Sequence, residues 1–127
     1  MVIEKNYQRV LDIFIEKNGN KPVEFFAVLK MDELIDKWSV LLAADWVTEE
    51  NRKETFNMLV SILIDTLNPE EIAEVARVGV MPTSVHLVEV FLDKFQAGQY
   101  IKEDARINGN VIHEGYIIKC STSRKEL

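Results

Sequence analysis

The chain has 127 residues, so a single hydrophobic core is expected rather than two independent ones. Apolar residues make up 47% of it and charged residues 28%, a balance that excludes a disordered chain. The formal net charge of -6 creates an average field that repels polyanions, which argues against nucleic acid and anionic membranes as partners.

Met1 is followed by Val2, Ile3, Glu4 and Lys5 with no basic leader or apolar stretch, so no secretory signal is expected. The most apolar windows, "WSVLLAA" and "MLVSILI", are far shorter than the roughly 20 residues a bilayer demands. Both read as core segments, and a cytoplasmic location is expected. A single cysteine, Cys120, excludes an internal disulfide and fits a reducing compartment.

Taken in chain order, residues 4–17 place Tyr7, Val10, Leu11, Phe14 and Ile15 at helical spacing, with Gly19 as the stop. Pro22 suits the first turn of a short second helix through Phe25, Phe26, Val28 and Leu29. Asp32 can cap a third helix running through Leu34, Ile35, Trp38, Leu41 and Leu42 toward Trp46. On that helix Asp45 falls in the middle of the apolar face, an anomalous core-facing acid unless the helix ends early and turns it outward.

Thr48, Glu49 and Glu50 favour the start of a helix 49–67 that is apolar around most of its circumference, the pattern of a central helix. Asn68, Pro69 and Glu71 form the sharpest local signal, an N-cap, a first-turn proline and a capping-box glutamate, opening a helix expected to stop near Gly79. Thr83 or Ser84 caps a sixth helix carrying Val85, Val88, Phe91, Leu92 and Phe95, ended by Gly98. Beyond it, Asn108-Gly109 is a type I′ hairpin signal and Glu114-Gly115 could form a second tight turn, with Tyr116, Ile118 and Cys120 on one face.

The expected fold is mainly α (α+β). It is a single domain, 1–120, in which about six helices bundle around the central helix 49–67. A C-terminal β-hairpin or small meander occupies 100–120, and 121–127 is a frayed polar tail.

Residues 70–91 resemble a helix-turn-helix, and the following hairpin sits where a wing would. The chemistry opposes that reading. From Pro69 to Gln96 there are five acidic residues against two basic, and the second helix would offer a groove Thr83, Ser84, His86, Glu89, Val90 and Asp93 with only Lys94 positive. His86, Glu89 and Asp93 share a helix sector that His113 could approach, a permissive set of zinc or ferrous-iron ligands. Cys120 sits in an alternating apolar strand and reads as a core residue. No phosphate loop, dinucleotide fingerprint or hydrolase elbow is present.

What remains is a small acidic interaction or regulatory protein without catalytic groups or cofactor, acting on another protein or on a second copy of itself. A basic partner would be steered by Glu49, Glu50 and Glu54 and by Glu70, Glu71 and Glu74. The alternatives are a winged-helix-like DNA-binding regulator using 69–96 and the 100–120 hairpin, and a small metal-dependent enzyme.

Overall fold

The computed structural model describes residues 2–34 and 36–121. The expected frayed tail, apart from Ser121, and the helical assignment of Ile35 lie outside the described residues. In chain order the elements are α1 (Val2–Lys17), β1 (Phe25–Met31), β2 (Trp38–Ala43), α2 (Arg52–Thr66), α3 (Pro69–Ala73), β3 (Val75–Met81), α4 (His86–Lys94), β4 (Tyr100–Ile101), β5 (Ala105–Ile107) and β6 (Asn110–Cys120). The strands join in one six-stranded sheet of order β3-β2-β1-β6-β4, and β5 also pairs with β6. β2 and β3 run parallel, linked by a crossover through α2 and α3, whereas the other pairs are antiparallel.

The six-helix bundle is thus corrected to an α+β fold, with four helices on a mixed sheet among the described residues. Three segments read as helices are strands: 25–31, 38–43 and 75–81. For 25–31 and 38–43 the cause is burial of both sheet faces, whereas 75–81 is an edge strand drawn into the sheet by its parallel pairing with β2. Phe26 and Val28 of β1 enter a core with α1 and α2, while Phe25, Ala27 and Leu29 enter a second core with α4. A strand apolar on both sides loses the polar alternation that marks a strand, and its continuous apolar run can be matched to a helical stripe by accident.

The central element is β1 rather than the helix at 49–67. α2 buries Thr55, Leu59, Ile62 and Leu63 against one sheet face, and Phe56 and Ile64 remain exposed. A helix lying on a sheet needs only one apolar stripe, so its other apolar side chains stay at the surface. α1 uses Tyr7, Val10, Leu11 and Phe14 on the same face. On the opposite face α4 buries Val88, Phe91 and Leu92, and the Phe91 ring stacks on Phe25 with centroids 5.5 Å apart.

At the C-terminal end, Asn108 and Gly109 take φ of 51° and 81° and connect β5 to β6 in the two-residue turn that the dipeptide predicts. The second turn at Glu114-Gly115 does not form. Gly115 lies inside β6, opposite Leu29 of β1 and Ile101 of β4, where a side chain would collide. Tyr116 and Ile118 do share a face, but Cys120 belongs to the other core. An extra residue in β6 opposite the Phe26/Ala27 step bulges the strand and reverses its alternation.

Candidate functional site

The capping box at Asn68 forms as its sequence predicts, but the helix it opens is only Pro69–Ala73. Asn68 Oδ1 accepts from the Glu71 amide at 2.8 Å, and Glu71 Oε1 accepts from the Asn68 amide at 3.0 Å. The other Glu71 oxygen accepts from Asn6 Nδ2 of α1 at 2.6 Å, and Lys37 Nζ donates to the Ala73 carbonyl at 3.1 Å. The Trp38 amide donates to the Glu74 carbonyl at 2.7 Å, tying the end of α3 to the start of β2. A five-residue helix has little stability of its own, so these ties to neighbouring elements hold its carboxylates in place.

Between α1, α3 and the start of β2 lies a pocket of about 300 Å³, lined by Ile3, Tyr7, Trp38, Asn68, Glu70, Glu71 and Glu74. Ile3 and Tyr7 are one turn apart on α1, so both reach the same wall. Tyr7 is only 2% exposed, and its hydroxyl has no hydrogen-bond partner among the described residues. Burial, then the nearby Glu71 and Glu74 carboxylates, push this phenol above the ordinary tyrosine range. The Glu71 carboxylate is occupied by Asn68 and Asn6, whereas Glu70 and Glu74 stand exposed at the rim.

A second, apolar groove of about 290 Å³ runs along the other side of α3, between α2 and β3. Its wall includes Phe56, Val60 and Ile64, spaced four residues apart on α2, together with Ile72, Ala76 and Val78. Phe56 is 36% and Ile64 59% exposed. β3 ends the sheet, so among the described residues one side of its backbone has no strand partner. Arg52 covers part of that edge, its Nε donating to the Val80 carbonyl at 2.8 Å.

The remaining sequence candidates are dispersed. Asp45 is exposed just past β2 rather than facing the core, because the segment before it is a strand and the helical wheel does not apply. The Asp45 carboxylate accepts from the Thr83 hydroxyl, and its amide donates to Glu24 Oε1 at 2.8 Å. Glu24 is the buried acid that sequence reasoning missed. It is 9% exposed, and burial raises its carboxyl pKa, opposed by the Asp45 amide. The hydrogen bonds run in a chain from Thr83 through Asp45 to Glu24, a structural link joining β1, β2 and the entry to α4.

His86 and Glu89 sit exposed on α4, 3.9 Å apart, and Asp93 is exposed two residues before the C-cap Phe95. His113 does not join them: its Nδ1 lies 3.0 Å from Asp104 and its Nε2 3.1 Å from the Asp32 carbonyl. Among the described residues no group of three or more His, Cys, Asp or Glu could hold a metal ion. Cys120 is buried, with Sγ 3.2 Å from the Phe95 carbonyl. Glu49 pairs with Arg52 at 3.7 Å, Glu50 is exposed, and Glu54 lines a separate pocket with Lys21 and Trp46. Only Glu70, Glu71 and Glu74 of the six predicted interaction residues come together around a cavity. The helix-turn-helix that residues 70–91 resemble is not formed, since after the short α3 the strand β3 takes the place of most of its first helix.

Compared with protein-family models, curated proteins and solved structures, the chain matches none. No helix among the described residues is long and apolar enough to cross a membrane.

The signal that could have found the pocket was present in the sequence. Tyr7 places a hydroxyl on the core face of α1, and a short capped turn follows with three glutamates. Linking them required the β2–β3 crossover that brings α3 beside α1.

Proposed function

We propose that this chain is a non-catalytic interaction protein that binds an extended, basic segment of another protein along the open edge of β3. The observation that carries this reading is the unpaired edge strand flanked by the apolar groove with exposed Phe56 and Ile64. An added strand would complete the backbone hydrogen bonding of β3, and alternate apolar side chains would fill the groove. Each chain carries a net charge of -6, which favours a cationic occupant over a second copy, and the one charged residue lining the groove itself is Arg77.

The test is selection of a displayed peptide library on the purified protein, compared with the Phe56→Asp/Ile64→Asp variant. Peptides alternating apolar residues with Lys or Arg should be enriched, bind more weakly as salt rises, and fail on the variant. Enriched peptides that bind the variant equally well would overturn the reading. So would sedimentation showing a stable dimer that the same variant dissolves, because the groove would then belong to a second copy.

A further inference from the structure

The pocket between α1, α3 and the start of β2 is chemically distinct from the β3 groove, and its filling does not depend on a partner strand. Its polar side is lined by Tyr7, Glu70 and Glu74, with the Tyr7 hydroxyl buried beneath the surface, and its apolar side by Ile3 and Trp38. Buried hydroxyls almost always find a partner within the protein or in water, so an orphaned one on a residue that lines a cavity points to a partner from outside the chain. Three glutamates around the opening set the sign of that partner. A neutral donor would satisfy the hydroxyl but leave the carboxylates uncompensated, and an anion would be repelled.

From this arrangement we infer that the pocket binds a primary alkylammonium, the head group between Tyr7, Glu70 and Glu74 and the stem against Ile3 and Trp38. An ammonium carries three N–H donors and no acceptor, so it can donate at once to a phenolic oxygen and to two carboxylates. Hydrogen bonds from a charged donor in a partly enclosed site are stronger than those it makes in water. The chemistry is shared by a free amine and by the side chain of a lysine in another protein. The volume of about 300 Å³ accommodates a butyl-length stem in either case.

The test is an NMR titration of the full chain with n-butylammonium, with Nα-acetyl-lysine amide, and with n-butanol as the uncharged isostere. Both cations should cause saturable shifts of the Ile3, Tyr7 and Trp38 signals, weakening as salt rises, and butanol should not. If the lysine amide binds at least as tightly, the source is a lysine side chain; if its backbone is excluded, the source is a free amine. The Glu70→Gln/Glu74→Gln variant should weaken binding by about tenfold or more. Tyr7→Phe should weaken it several-fold without lowering the melting temperature of the free protein, because it removes an unsatisfied hydroxyl and keeps the ring. Equal binding of butanol, unaltered affinity in Tyr7→Phe, or no shift in the pocket's signals would overturn the site. None of these outcomes bears on the β3 groove, which is tested by Phe56 and Ile64.

Discussion

A β-carbon added at Gly115 would come within 2.5 Å of Leu29 Cδ2 and 3.4 Å of the Val28 carbonyl oxygen. Leu29 is fully buried in the α4-side core, so its methyl has little room to retreat. Gly115→Ala should therefore overpack that core, at a cost of about 1–3 kcal/mol. Against this, alanine restricts the unfolded chain and returns roughly 0.4–1 kcal/mol. The net expectation is a loss of about 1–2 kcal/mol. With an unfolding entropy of about 2.1 cal/mol/K per residue over the chain, that loss lowers the melting temperature by roughly 4–8 °C.

Leu29→Ala alone should cost about 2–5 kcal/mol through the cavity it opens. In the double variant the new methyl at 115 occupies space that Leu29 has vacated, so the double variant should be more stable than the summed single losses by about 1–2 kcal/mol. Urea unfolding of the four proteins, followed by circular dichroism, measures this coupling. Were Gly115 a turn residue at the protein surface, any penalty would come from backbone strain and would be indifferent to Leu29. Additive energies, or a Gly115→Ala protein within about 0.5 kcal/mol of the parent, would refute the packing of β6 against β1.

Three further outcomes are expected. Asn68→Ala removes the cap that orients α3 and should cost about 0.5–2 kcal/mol in urea unfolding, whereas Glu71→Gln preserves a capping-box partner and should cost less. His113 is held above the ordinary histidine value of 6.5, first by the Asp104 hydrogen bond, with the Asp32 carbonyl assisting. Its stabilisation is full below 6.5 and lost as pH rises through the higher folded-state value, so melting curves between about pH 5.5 and 8.5 should fall for the parent and flatten for His113→Gln. Glu24 also binds its proton more tightly when folded, because burial penalises the carboxylate. Its contribution is present below the ordinary 4.5 and lost as pH rises through the raised value. Glu24→Gln keeps an oxygen for the Asp45 amide and should melt no lower than the parent at neutral pH; a clear drop would contradict this account.

The sequence by itself determined those features whose physics is local. The α1 stripe of Tyr7, Val10, Leu11 and Phe14, the Asn68 capping box and the Asn108-Gly109 turn each involve interactions among residues a few positions apart, so propensity and spacing specify them. The candidate site was legible only in part: Glu70, Glu71 and Glu74 stood out as an acidic run, but Tyr7 read as plain core. Tertiary structure decided whether an apolar run would be helix or strand, because residues 25–31 and 38–43 are covered on both faces and carry no polar phase to reveal their period. It also decided how far α3 extends, since β2 offers Val75–Met81 a parallel partner that outcompetes the helix begun at Pro69. Pairing across long sequence separations brings α3 against α1 and leaves β3 at the edge, so the pocket and the groove exist only once the sheet is assembled.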